Sequence, residues 1–170
     1  MSAHGRRLLA LRVARCALLG HALGIKVEDL TLSGQGRARF EDGLEIGPDG
    51  KALPRTQGPR PRVDLVRTGA HVILSVVGAA ERVCAVSPEM VRQMAAHRLG
   101  PAMSVAAEIM SATAESAKKV AAELELRGRL AGEAFAELVQ GAADVEKVRA
   151  TLTAECLGAI GRAADKAFSG

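Results

Sequence analysis

The chain has 170 residues, which is enough for one domain or for one domain with an additional arm. Apolar residues make up 48% of it and aromatic residues only 2%, so any core must be built mainly from Ala, Leu and Val. The scarcity of aromatic rings argues against nucleic-acid modules that stack bases on such rings. The net charge of +4 is compatible with binding to an anionic surface or with weak contacts to phosphate groups.

The charge divides the chain into two parts. Residues 1–62 contain 11 Lys or Arg against 6 Asp or Glu, whereas residues 63–170 contain 12 against 13. We therefore predict a basic N-terminal part over 1–62, which ends in a linker, and a helical domain over 63–170.

The N-terminal stretch RRLLALRVARCALLGHALG is apolar and basic and contains no acidic residue. Arg12 and Arg15 interrupt its apolar run, which argues against a secretory signal and against a transmembrane segment. The pattern predicts a helix from about Arg6 to Leu23 that ends at Gly24, with leucines spread around the helix. A transit peptide is also basic and poor in acidic residues, so that alternative remains open.

After this helix the pattern changes to short segments separated by Gly, Asp and Pro. The successive stretches IKVEDLTL, SGQG and RARF predict a short β-hairpin or an irregular segment. The stretch LPRTQGPRPR, which runs to residue 62, contains three prolines and predicts a linker. Its arginines, Arg55, Arg60 and Arg62, form with the N-terminal arginines a predicted basic arm, which we expect to contact nucleic acid weakly.

Two interpretations of residues 63–85 stay open. Their β-branched residues are typical of a buried strand, whereas apolar residues spaced three and four apart are typical of a helix. We favour the helix because the run is long and is not bounded by turn residues. Ser87 and Pro88 then predict the start of a further helix that ends at Gly100.

The strongest periodicity lies in the C-terminal part. From Met103 to Leu138 an apolar residue or glycine recurs at alternating spacings of four and three, which predicts one long helix packed lengthwise on another. Gly141 ends this helix, and Asp144 caps a last helix that runs to about Phe168. The two helices form a predicted antiparallel αα-hairpin.

The predicted fold class is therefore mainly α, an antiparallel helical hairpin or bundle with a short β-hairpin or irregular N-terminal segment; an α+β fold is the alternative. Ile109 lies off the main seam of the hairpin, where a two-helix hairpin leaves it uncovered. We expect it to contact the preceding helices, another subunit or an apolar body. The residues predicted to form the seam or to contact a partner are Met103, Met110, Leu124, Phe135, Leu138 and Ile109.

No residue pattern predicts catalysis. The sequence lacks the phosphate loop, the dinucleotide fingerprint, the nucleophile elbow and the paired-histidine zinc motif, so we predict no catalytic, cofactor or metal site and favour a non-enzymatic protein. The cysteines, Cys16, Cys84 and Cys156, are odd in number and far apart, which is typical of reduced thiols in the cytoplasm.

Residues 103–168 combine a long Ala-rich helix, a break at QGAAD and a second helix that starts DVEKV. In this they resemble a phasin, a protein that coats bacterial polyhydroxyalkanoate storage granules. The resemblance implies a self-associating, non-enzymatic helical coat or scaffold protein whose apolar face lies on the polymer. Two alternatives stay open: an adaptor whose basic arm contacts nucleic acid, and an assembly-dependent, non-catalytic subunit of an α+β enzyme.

Overall fold

The structure, a computed structural model, describes residues 2–40 and 100–168. It is mainly helical with a small antiparallel sheet, as predicted. The linker, the segment 63–85, the helix predicted after Ser87 and the arginines Arg55, Arg60 and Arg62 lie outside the described residues. In chain order the described elements are α1 (Ala3–Ala22), β1 (Val27–Thr31), β2 (Arg37–Phe40), α2 (Gly100–Ala112), α3 (Ala114–Arg127), β3 (Arg129–Ala131), α4 (Gly132–Val139), α5 (Ala143–Thr151) and α6 (Ala154–Phe168).

Helix α1 lies in the middle of the hydrophobic core. It begins after Ser2, whose hydroxyl accepts a hydrogen bond from the Gly5 N–H at 3.1 Å, and ends before Gly24, which has a positive φ of 81°. Its second half is buried on nearly every side, because alanines and leucines surround the helix instead of forming one stripe. The predicted N-terminal helix is confirmed. Within the described residues no helix is long and apolar enough to span a bilayer.

Strand β1 is the central strand of the sheet, with β2 and β3 antiparallel on either side. The turn between β1 and β2 is the predicted SGQG, in which Gly34 and Gly36 have positive φ. Leu30 lies opposite Ala38 and Leu130 in the sheet, and all three are buried. One face of the sheet therefore packs on the helices, and the predicted β-hairpin is confirmed.

The single long helix predicted from Met103 to Leu138 is wrong, because the structure divides it into α2, α3 and α4. Gly128 has a left-handed backbone, and its N–H closes α3 on the Leu124 carbonyl at 2.7 Å. The next three residues form β3 and pair with β1, which lies far away in sequence. The last predicted helix is also divided, since residues 152–153 separate α5 from α6.

A domain boundary was predicted at residue 62. In the described residues, the parts of the chain before and after this position contribute to one hydrophobic core. Helix α1 packs against α2, α3 and α5, and its buried residues belong to the same cluster as Leu124 and Phe135. Ile109 is only 3% exposed, so this core already covers it. Its cover therefore comes from within the chain, the first of the alternatives expected for it, and requires neither another subunit nor an apolar body. Met110 and Leu138 pack partly buried against the core, and Met103 lies in α2 with its side chain outside the described part.

Side chains from other elements satisfy both ends of α3. At its C-terminus Arg6 donates to the Glu125 carbonyl oxygen from Nη2 at 3.0 Å and from Nε at 3.3 Å. At its N-terminus the Asp144 carboxylate accepts the Ser116 N–H at 3.0 Å and the Ser116 hydroxyl at 2.6 Å. Each charge has the sign that stabilises the helix dipole at that end.

Asp144 makes the stability pH-dependent. Partial burial alone would raise the pKa of Asp144, but hydrogen bonds from Ser116 and from the Val145 N–H hold it below its usual value. Its stabilisation is complete above the unfolded pKa of about 3.9 and is lost as the pH falls through the lower folded pKa. We expect the difference in unfolding free energy between wild type and Asp144→Asn to be constant above about pH 5 and to shrink below about pH 4. Urea unfolding across this pH range measures the difference between the two proteins. A difference that stays constant down to about pH 2 would contradict the prediction.

Candidate ligand-binding cleft

A cleft of about 320 Å³ lies where the end of α1 and the start of β1 meet α4 and α5. Its volume is at the lower end of the range for small-molecule sites. Four of the residues that line the cleft have polar side chains, and the other lining residues are apolar or glycine. The lining residues are His21, Gly24, Ile25, Lys26, Val27, Gly132, Glu133, Phe135, Ala136 and Arg149.

Gly132 allows α4 to begin directly against β1. A Cβ atom at this position would lie 2.2 Å from the Val27 carbonyl oxygen, far inside any normal contact distance. The absent side chain therefore sets how closely the first turn of α4 approaches the sheet. This approach places Glu133 and Phe135 at the cleft.

Arg149 of α5 is held against the last turn of α1. Its Nη2 donates to the His21 carbonyl oxygen at 2.8 Å and lies 3.3 Å from His21 Nε2. Since a guanidinium can only donate, Nε2 accepts and the imidazole proton is assigned to Nδ1. The His21 ring also packs edge-on against Phe135, with ring centroids 5.5 Å apart.

The charge of the cleft is carried by Lys26, Arg149 and Glu133. Burial, followed by the positive charge of Arg149, lowers the pKa of His21 against an opposing effect of Glu146, so His21 is neutral near pH 7. The lining residues carry two positive charges and one negative charge beside an apolar wall, and Glu146, 4.0 Å from Arg149, adds a second negative charge next to them. The arrangement can therefore take up an anionic group only through the remaining N–H donors of Arg149.

His21 is not placed to act as a general base on a ligand. His21 Nε2 is directed at Arg149, so it is not free to take a proton from a ligand. In the part of the chain that the structure describes, no three His, Cys, Asp or Glu side chains are grouped as a metal site would require.

The sequence predicted few of the residues that line this cleft. Of the predicted seam residues, Phe135 lines it, while Leu138 lines a smaller cleft of about 220 Å³ next to α3. His21 and Arg149 were not predicted, because they are 128 residues apart and neither lies in a recognisable motif. The sequence did predict that the first helix ends at Gly24, and His21 lies in the last turn of this helix, α1.

No family model, no curated protein and no solved structure matches this chain.

Proposed function

We propose that this protein is a non-enzymatic binding protein for a small molecule that combines an apolar body with a carboxylate, sulfonate or phosphate group. The observation that supports this most is Arg149, whose guanidinium His21 holds in place at the edge of an apolar cleft. A cation fixed before binding loses less side-chain entropy when it takes up an anion.

Arg149 keeps donors available for a ligand. Its side chain is 38% exposed, and Nη1 lies 4.0 Å from Glu146, which is too far for a hydrogen bond. A guanidinium has five N–H donors, so an oxyanion can bind here without displacing His21. The apolar body of the ligand would lie against the exposed Gly24 and Ala136, over the nearly buried Ile25, Val27 and Phe135 that back the cleft.

Octanoate is a suitable probe because it has one carboxylate on an apolar chain. We expect the wild-type protein to bind it and Arg149→Gln to bind it at least about tenfold more weakly, since a charge-assisted hydrogen bond is lost. Lys147→Gln removes the same charge from an exposed position on the same helix and should leave the affinity unchanged. Isothermal titration calorimetry measures all three, with thermal melts to confirm folding.

The uncharged analogue 1-octanol provides the second comparison. It should bind the wild-type protein more weakly than octanoate and should not distinguish Arg149→Gln from wild type, because it offers no anion to the guanidinium. Equal octanoate affinity for wild type and a folded Arg149→Gln variant would overturn the proposal.

The granule-coat hypothesis needs an apolar face that the fold leaves free. Among the described residues Ile109, which the sequence placed off the internal seam, is only 3% exposed, so it does not supply such a face. The coat function and the homo-oligomer therefore remain hypotheses, and the nucleic-acid alternative rests on Arg55, Arg60 and Arg62. Co-sedimentation with polyhydroxyalkanoate granules and salt-dependent retention on DNA test them separately.

A further inference from the structure

Of the described residues that line the cleft, only His21 changes its charge near neutral pH. Its side chain is partly exposed, so protons from solvent can reach it. While His21 is neutral, the positive charges of Lys26 and Arg149 are matched by the negative charges of Glu133 and Glu146. Protonation of His21 would therefore leave the cleft with one net positive charge.

The contact between the His21 ring and Arg149 exists only while His21 is neutral. Nε2 accepts from Nη2 at 3.3 Å, whereas a protonated Nε2 would turn a second N–H donor toward the guanidinium. The edge-on packing against Phe135 limits how far the ring can turn away. The His21 carbonyl still holds Nη2 at 2.8 Å, so the guanidinium stays beside the ring. Two donors and two positive charges then face each other, and an acceptor with negative charge is what fits between them.

The charged groups around His21 come from three parts of the fold. Arg149 and Glu146 of α5 act on it directly, Glu133 lies on α4, and Lys26 precedes β1. Within the described residues no charged side chain of α2 or α3 lines the cleft. Burial and then Arg149 lower the pKa of His21, against the opposing effect of Glu146. An anion bound to Arg149 offsets the guanidinium charge, so it raises this pKa again.

We propose that His21 and Arg149 form a proton-coupled anion site, in which an oxyanion binds together with one proton that Nε2 of His21 takes up from solvent. The oxyanion accepts from the new Nε2–H and from Arg149, and it replaces the direct contact between the two side chains. One proton and one monoanion enter together, so the net charge of the cleft is the same before and after binding. This inference rests on the proposed anionic ligand and adds what controls its affinity.

Octanesulfonate is the probe, because its sulfonate stays ionised at every pH used. Since linkage is reciprocal, a proton that favours the anion is itself favoured by the anion. The affinity of wild type should be constant above the pKa of His21 in the complex and should rise as the pH falls toward the pKa in the free protein. We expect a rise of about tenfold between about pH 7.5 and about pH 5.5, as a pKa raised by about one on binding would give.

Isothermal titration calorimetry measures this rise, and NMR of the wild-type His21 ring measures its pKa with and without saturating octanesulfonate. His21→Gln keeps an acceptor for Arg149 but cannot be protonated, so its affinity should not depend on pH. His4→Gln is the matched control. It removes a histidine from the exposed first turn of the same helix and should keep the rise. Thermal melts confirm that both variants are folded.

The outcomes separate this inference from the proposed function. Octanesulfonate bound with equal affinity at both pH values, a rise that persists in His21→Gln or is lost in His4→Gln, or a His21 pKa that the ligand does not raise would each overturn the proton coupling alone. Absence of binding at both pH values would overturn the proposed function as well. The NMR titration uses only wild type, so it decides the question even if a variant does not fold.

Discussion

Leu124→Asp should unfold much of this protein at room temperature. Leu124 is fully buried in the core, where α3 packs against α1. The substitution removes the apolar contacts of a leucine and places a carboxylate where it has neither water nor a partner. We expect the free energy of unfolding to fall by at least about 4 kcal/mol, a large part of the total stability of a domain of this size.

Leu126→Asp is a matched control in the same helix. It introduces the same side chain two residues further on, but Leu126 is 80% exposed. Its cost should stay within about 1 kcal/mol, mainly from a negative charge at a helix C-terminus. Urea unfolding followed by circular dichroism measures both variants. If they are destabilised equally, the buried face of α3 is assigned wrongly.

Gly132→Ala should have the second-largest effect. The added Cβ would lie 2.2 Å from the Val27 carbonyl oxygen and 2.9 Å from that of Glu28, and neither backbone atom can move without displacing the central strand. We expect a loss of about 3 kcal/mol in unfolding free energy, together with weaker octanoate binding because α4 forms part of the cleft.

Gly20→Ala provides the contrast for this prediction. Its Cβ would also come within 2.2 Å of a neighbour, but that neighbour is the far end of the Phe40 ring, which can rotate away. The cost should therefore be smaller than at Gly132, as unfolding free energies of both variants will show. Equal and small losses at the two glycines would contradict the close approach of α4 to β1.

Local signals predicted several elements correctly because the residues that stop or turn the chain act on their immediate neighbours. Gly24, with its positive φ, ends α1 close to the predicted position. The SGQG turn joins β1 and β2 as predicted, and Gly141, also with positive φ, separates α4 from α5. In each case a left-handed backbone favours glycine, so the sequence alone marks the boundary.

Some features of the N-terminal part and the seam needed the tertiary structure. The apolar stretch before Gly24 predicts a helix, but its place in the middle of the core depends on the elements that surround it. For Ile109 the sequence left open whether the preceding helices, another subunit or an apolar body covers it, because a two-helix hairpin leaves it uncovered. In the structure α1 packs on α2, and the core in which they lie covers this side chain.

The sequence by itself determined that the protein is mainly helical, that a short hairpin or irregular segment follows the first helix, and that Gly24 and Gly141 end helices. Only the tertiary structure decided that residues 129–131 leave the heptad pattern to become a strand and that Arg149 meets His21. Alanine, leucine and glycine at heptad spacing fit a continuing helix locally. The backbone hydrogen bonds between β3 and β1, which lies about 100 residues earlier in the chain, stabilise the strand instead, and such distant pairing leaves no trace in local periodicity.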